Sequence, residues 1–341
     1  MKVLLITGTY PPGSCGIGDY TEKLATALKQ LQMEVEVLAN LDWSITCYFK
    51  IKKRIVAINP DIIHIQYPSV GYGASLVPQL LSLQFKTFVT IHEVLQAHIL
   101  RKISLLPFSI RSQVIFTNEF EKIKFQRIFP WSRLFNTTTV IPIGSNISRT
   151  DNGSAMDKNT TTIVSFGQIR PNKGLEDVLK LASLIEENKL PYTVLIVGQV
   201  LPKFQSYFQS LQNSSANILD WKINLPEEEV GRVLSNHLLS YMPFPDGVSE
   251  RRGSLLAALA NDMLVFTTCG QHTTAEISTL VVFASSPNDL VYQLKETGHD
   301  ELLQMSQSRL PLLKKYIKKL GWGNIAKLHR EWYMSGKKPV N

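Results

Sequence analysis

Cysteine is scarce in this chain. Cys15, Cys47 and Cys269 are the three in 341 residues, far apart and odd in number. That excludes a disulfide framework or a paired zinc spacing and predicts reduced thiols in a cytosolic protein. Long apolar runs are missing as well: nothing reaches the ~18 residues of a membrane span. The opening MKVLLITGTYPP has too short an apolar run for a signal peptide and ends in a Pro-Pro turn. Short repeats and low-complexity tracts are absent. The dinucleotide spacing GxGxxG is not found after the first apolar strand, and no carboxylate stands where a ribose clamp belongs, which argues against a nicotinamide oxidoreductase. No recognition helix or single-strand aromatic platform stands out, so nucleic acid is not an expected partner.

What is present points to two α/β domains. A single core stops growing near ~250–300 residues, and 341 residues exceed that. With 44% hydrophobic and 19% charged residues, both halves can bury a core. The net charge of +8 favours phosphates, anionic lipid or acidic glycans without choosing among them. Short apolar runs read as strands at 3–7, 35–40, 62–67, 87–92, 113–118 and 138–144, with helical patterns such as DYTEKLATALKQLQ between several of them. The polar stretch 145–161 breaks the alternation. It restarts at 162–167, 192–198, 216–220, 238–243, 264–269 and 281–285. Apolar strands separated by helices predict parallel sheets covered on both faces. The predicted division is a first domain at 1–147, a linker at 148–160, a second domain at 161–305 and C-terminal helices at 306–341.

Ligands of such sheets gather beyond the carboxyl ends of the strands. The loop TGTYPPGSCGIGDYT (7–21) follows the first strand and opens a helix, and its glycines permit close backbone approach to an anion. The same glycines also suit a plain tight turn. His92 ends the fourth strand, where it can bind a sugar hydroxyl, move a proton or serve only structure; Glu93 beside it has the same ambiguity. In FGQIRPNKGLEDVLKL (166–181), Arg170 and Lys173 sit in a Pro-Asn turn before an amphipathic helix, within reach of a diphosphate. In PFPDGVSERRGSLLAALA (243–260), Glu250 precedes a helix opened by Gly253 and Ser254. It can accept from sugar hydroxyls, or pair with Arg251 and Arg252.

These strings, in this order along nearly the whole chain, resemble the family 4 retaining glycosyltransferases. The resembling segments are TYPPGSCGIGDYTEKLATAL, TIHE, IPIGSNI, FGQIRPNKG and DGVSERRGSLLAALA. The resemblance implies the GT-B fold, an α/β architecture of two Rossmann-like domains facing a central cleft. It implies transfer from a UDP- or GDP-sugar with retention of configuration, without a metal or other cofactor. His92, Arg170, Lys173 and Glu250 would be the catalytic set. Gly16, Ile17, Gly167, Trp221, Arg252, Gly253, Ser254 and Leu255 would bind the donor, with the stretch 219–222 framing the base. Trp322 and Trp332 would lie on a C-terminal helix returning to the first domain. One departure stands out. The family's second signature glutamate, which holds the donor ribose, falls here on Ala257 or Ala258. Losing that pair of hydrogen bonds costs ~1–3 kcal/mol of donor affinity.

The expected acceptor is a glycan or a lipid-linked glycan. ILRKISLLPFSIR (99–111) and FEKIKFQRIFPWSRLF (120–135) mix basic residues with apolar ones, Phe129, Trp131 and Phe135 among them. Such segments suit a peripheral contact with an anionic membrane face, and equally a core helix with a solvated basic side. Two functional readings stand: an active transferase of polysaccharide or glycolipid assembly, and a transferase-like binding or scaffold subunit without turnover. A GT-B epimerase would need catalytic carboxylates that cannot be identified.

Overall fold

The computed structural model describes residues 1–13, 15–95, 97–134, 137–147, 149, 158–214 and 216–336. The chain divides into two compact units, Met1–Asn146 with the segment from Leu320 onward, and Ile147–Lys319. Most of the expected linker, and Phe135, lie outside the described residues.

The first unit is built on a parallel sheet of β1 (Lys2–Ile6), β2 (Glu34–Leu38), β3 (Ile62–Tyr67), β4 (Thr87–Ile91), β5 (Ser112–Phe116) and β6 (Thr138–Val140), in the order β2-β1-β3-β4-β5-β6. β3 and β4 are buried at every position, as expected of central strands covered on both faces. One face is covered by α1 (Gly16–Gln30), whose Tyr20, Leu24 and Leu28 pack with Ile325 and Tyr333 of the C-terminal helix. The other face carries α2 (Tyr48–Ile58), α3 (Val77–Gln84), α4 (Ile99–Ile103), α5 (Leu106–Arg111), α6 (Glu119–Ile128) and α7 (Trp131–Leu134). Their Ile51, Leu81, Phe108 and Phe125 share a single core cluster.

The second unit repeats the plan. Its strands are β7 (Asn159–Ile169), β8 (Thr193–Val200), β9 (Leu219–Ile223), β10 (His237–Met242), β11 (Leu264–Thr267) and β12 (Val282–Phe283), ordered β12-β11-β10-β7-β8-β9, all parallel. Its helices are α8 (Leu175–Glu187), α9 (Gln205–Asn213), α10 (Glu227–Asn236), α11 (Gly253–Ala260), α12 (Ala275–Ser278), α13 (Pro287–Glu296) and α14 (His299–Lys319). α15 (Trp322–Gly336) closes the first unit.

Every strand read from the sequence is present, with shifted ends. β9 begins at Leu219, three residues late, because Ala216 and Asn217 form the turn into it. The return to the first unit begins at Leu320, later than the expected 306, because α14 buries Leu302, Leu313 and Tyr316 in the second unit. Phe125 and Phe129 are buried in the first core, and Trp131 Nε1 donates to Ser109 Oγ at 3.2 Å. The segment 120–134 is therefore core, and its aromatics are not an interfacial belt.

Strand order locates the sites. In the first sheet the chain runs outward from β1 to β2, then resumes on the opposite side of β1 with β3. In the second it runs from β7 to β8 and β9, then resumes beside β7 with β10. Loops leaving the carboxyl ends of β1 and β3, and of β7 and β10, diverge at these reversals and leave room for a ligand.

Candidate functional site

At the second reversal, the loops after β7 and β10 assemble a cluster of cations. Arg170 and Lys173 belong to the first loop, Arg251 and Arg252 to the second. Asn172 and Gly174 both have positive φ, 62° and 75°, so the turn doubles back. A Cβ on Gly174 would stand 1.8 Å from the carbonyl oxygen of Pro243. Only glycine lets the β7 loop seat on the end of β10, and this seating brings Lys173 among the arginines. Burial pulls the Lys173 ammonium down to about 8, and the charges of Arg170 and Arg252 add to the effect. Against the four cations stands Asp246, which accepts from Arg251 Nη2 at 2.8 Å and also pairs with Arg252. Both arginine side chains are largely enclosed, at 13% and 12% exposure. The Arg252 guanidinium lies 4.8 Å from the Phe244 ring centre, and its buried Nε has no hydrogen-bond partner among the described residues.

The same place holds a helix N-terminus. Arg252 is the N-cap of α11 and offers no side-chain cap. The first amides of the helix, at Gly253, Ser254 and Leu255, have no intrahelical acceptor. Space is open around Gly253, and a Cβ on Gly167 would approach Ser254 at 3.8 Å, so the end of β7 lies against the first turn of α11. Enclosed guanidiniums, a lysine of lowered pKa and free helix amides together form an anion site suited to a diphosphate.

Glu250 is half-buried at the same loop. Its Oε1 accepts from Thr274 Oγ1 at 3.3 Å, and its charge, with that of Glu276, faces Tyr316, whose hydroxyl pKa is raised chiefly by burial. Asp246 is the arginine partner that sequence reading left unassigned; beside a glycine it reads as a turn residue. Trp221 sits within β9 and packs edge-on against Phe208 at 5.2 Å as part of the core's margin. This placement is one of packing at an edge strand. Ala257 and Ala258 are fully buried, so the helix face that would carry a second glutamate is filled by its own core.

In the first unit the loops after β1 and β3 are pressed together. A Cβ on Gly71 would stand 2.2 Å from the Gly8 carbonyl oxygen, and Ser69 Oγ accepts from Thr9 N at 2.9 Å. Gly18 is likewise closed against Thr9. Gly16 is different: it is exposed, nothing crowds it, and it opens α1, whose N-cap Cys15 makes no side-chain cap. Its amide and that of Ile17 are the free donors of this helix end.

His92 follows β4 and is part of a polar network. Its Nε2 lies 2.9 Å from Gln66 Oε1, and its backbone N–H donates to Tyr67 O at 2.8 Å. The Gln66 amide lies 3.3 Å from His64 Nε2, which is also 2.7 Å from Thr90 Oγ1; His64 Nδ1 is 2.5 Å from the Tyr333 hydroxyl. A third histidine, His329, donates from Nδ1 to Ile325 O at 2.8 Å, and its Nε2 lies 3.5 Å from the Tyr20 hydroxyl. Tyr20 packs edge-on against His92 at 4.9 Å. Burial drives His92 down to about 3 and His329 to about 4, and holds His64 well below an ordinary imidazole. His92 is thus neutral, suited to a hydroxyl and not to a phosphate. Beyond it, the buried Glu121 accepts from the amides of Val94 and Leu95 at 2.6 and 2.9 Å and fixes the loop. Gln66, His64 and Glu121 were not found by sequence reading. Polar residues two apart in the apolar strand IIHIQY are the available signal.

No protein-family model matches the chain, and no curated protein matches it by sequence. Its likeness is to solved structures. HepE of Anabaena, solved with UDP and glucose, superposes with a TM-score of 0.72 at 15% identity over 98% of this chain and 100% of that one. Sucrose-phosphate synthase from Thermosynechococcus elongatus gives 0.70 at 16% identity over 98% of both chains. WaaG, a glycosyltransferase involved in lipopolysaccharide biosynthesis, gives 0.62 at 12% identity over 98% of this chain and 99% of that one. The fold is that of GT-B glycosyltransferases, with two parallel-sheet α/β domains.

Proposed function

We propose that this chain is a glycosyltransferase that takes a sugar from a nucleotide-diphosphate donor. The observation that carries the reading is the cluster of Arg170, Lys173, Arg251 and Arg252 against Asp246, beside the free amides of α11. Its four cations exceed the two carboxylates of the same loop, Asp246 and Glu250, so it suits a ligand with more than a single negative charge. In group transfer the bond between sugar and diphosphate breaks, and the diphosphate gains charge as it leaves. Fixed cations and amides stabilise that charge more than the ground state's, which lowers the barrier. These side chains take the part that a divalent cation plays in other transferases. HepE's structures with UDP and UDP-glucose support a nucleotide-sugar donor of the UDP type.

Retention of configuration rests on the resemblance of FGQIRPNKG and DGVSERRGSLLAALA to the retaining family. A front-face route in which a donor phosphate oxygen takes the acceptor proton needs no carboxylate nucleophile. Glu250 would contact the donor sugar, and neutral His92 a sugar hydroxyl. The first unit would bind a glycan or lipid-linked acceptor, in polysaccharide or glycolipid assembly on the cytoplasmic side. Trp221 is not favoured as a base platform, given its packing on Phe208.

A second reading, a binding or scaffold subunit without turnover, is favoured by the buried Ala257 and Ala258, which leave the ribose without its carboxylate. Nucleotide release from UDP-, GDP- and ADP-sugars distinguishes the two. Wild type should release nucleotide, and Arg170→Ala and Lys173→Ala should each slow release by ~10²-fold or more. Donor binding without release supports the scaffold reading, and equal release by all three proteins refutes the assigned site.

A further inference from the structure

The face of the first sheet that α1 and α15 cover carries a polar row through its apolar core. Strand alternation places His64 and Gln66 of β3 on one side. The parallel register, His64 with Phe88 and Gln66 with Thr90, adds Thr90 and then His92 to the same side. His64, Gln66, Thr90 and Tyr333 are fully buried, so the hydrogens of this row must find acceptors within it. His92 is half-buried. Its Nε2 meets Gln66 Oε1 at 2.9 Å, and its Nδ1 has no hydrogen-bond partner among the described residues.

Two arrangements of hydrogens suit the row. Among the described residues, the Thr90 hydroxyl meets only His64 Nε2, at 2.7 Å, and the Tyr333 hydroxyl only His64 Nδ1, at 2.5 Å. A neutral imidazole has one N–H and one lone pair, so it accepts from one of these hydroxyls and donates to the other. If His64 accepts from Thr90, its Nε2 bears the lone pair. The Gln66 amide nitrogen then faces His64, and the Gln66 oxygen is left for His92. If His64 accepts from Tyr333, its Nε2 bears the hydrogen and Gln66 turns end for end. The structure has the first arrangement: Gln66 Nε2 lies 3.3 Å from His64 Nε2, and Gln66 Oε1 faces His92. The hydrogen of His92 is then on Nε2 and its lone pair on Nδ1.

We infer that Gln66 is the positioning residue of His92: it passes on the polarity that Thr90 sets at His64, and holds His92 as the Nε2–H tautomer with Nδ1 as an acceptor only. The consequence for transfer rests on the proposed function. As the diphosphate leaves with the bonding electrons, the sugar gains positive charge. A sugar hydroxyl that donates to Nδ1 keeps an electron-rich oxygen, which steadies that charge; one that accepts from an N–H does the opposite.

The test is a long-range proton–nitrogen correlation spectrum of the full chain, isotopically labelled in its seven histidines, at neutral pH where burial keeps the His92 ring uncharged. The His92 signals are those lost in His92→Phe. In the wild type, the lone-pair nitrogen of His92 should correlate strongly with Hε1 and weakly with Hδ2, the pattern of the Nε2–H tautomer. Gln66→Met should give a mixture of tautomers. Thr90→Val leaves the Tyr333 hydroxyl to decide, so the row should reverse and the His92 hydrogen should move to Nδ1, whereas Tyr333→Phe should keep the wild-type pattern. With UDP-glucose, Thr90→Val should lose about fivefold in kcat for nucleotide release at little change in KM, because the contact to the sugar persists with its polarity reversed. A wild-type hydrogen on Nδ1, or a His92 pattern unmoved by Gln66→Met or by Thr90→Val, would overturn the inference. So would a reversed His92 that works at the wild-type kcat. The spectrum is read without substrate, so a wild type that shows the Nε2–H pattern yet releases no nucleotide from any sugar donor upholds the role of Gln66 and refutes the transferase reading.

Discussion

Lowering the pH from 7 to 5 should destabilise the first unit by several kcal/mol, through three histidines that fold as neutral groups. His92 is held down to about 3, and His64 is shifted in the same direction, by burial first and then by neighbouring imidazoles; burial holds His329 down to about 4 against the raising effect of its hydrogen bond to Ile325 O. In the unfolded chain each titrates near ~6.5. The unfolded state therefore binds protons first as the pH falls. Stability is unaffected above ~6.5, declines below it, and stops declining only when the folded histidines themselves protonate, around 4 to 3. Each neutral histidine costs ~1.4 kcal/mol per pH unit in that window. At pH 5, His92 and His329 together cost about 4 kcal/mol, and His64 adds to it. Against a typical domain stability of ~5–15 kcal/mol, that is a large fraction. Urea denaturation followed by circular dichroism at half-unit pH steps reads the slope. His329→Gln keeps a donor and an acceptor near Ile325 O and the Tyr20 hydroxyl, and should reduce the slope by ~1.4 kcal/mol per pH unit. A slope unchanged by that substitution, or stability flat from pH 7 to 5, would falsify the account of the network.

Lys173, at about 8 without ligand, should make affinity for UDP fall as the pH rises above 8, by up to ~tenfold per unit. Calorimetry on Lys173→Ala should show weaker binding with that dependence gone. Gly174→Ala forces a side chain into positive φ and against the Pro243 carbonyl; it should cost ~1–3 kcal/mol from the backbone alone, read in the urea midpoint, and should lower UDP affinity by displacing Lys173. Ala258→Glu places a carboxylate at a fully buried site and should cost ~3 kcal/mol or more in the same measurement. It should not restore tighter nucleotide binding, and a gain in affinity would show that the helix face can open.

Strand positions were readable because parallel strands buried on both sides must be apolar throughout, and IIHIQY, TFVTI and TVLIVG stand out against amphipathic helices. Arg170 and Lys173 were readable because a basic Pro-Asn turn between a strand and a helix occupies a place where ligands gather. Asp246 was not, since its role comes from a loop that folds back on the ends of β7 and β10. The pairing of His64 with Tyr333 spans 269 residues and depends on a helix that no local pattern ties to β3. Phe129 and Trp131 misled because aromatics packed into a core look like an interfacial belt when only their basic neighbours are considered.

The return of α15 gives the two units different histories. The second is a continuous stretch, and its sequence is complete once Lys319 is made. The first is interrupted: Tyr333, which bonds His64, and Trp322, whose Nε1 donates to Ser145 O at 2.8 Å, are translated after the whole of the second unit. Until α15 is made, its six strands have the α1 face of the sheet covered by α1 alone, without Ile325 and Tyr333. Synthesis order thus makes the second unit the first whose sequence is complete, and a chain truncated before residue 320 carries every element of the second unit but lacks the helix that completes the first.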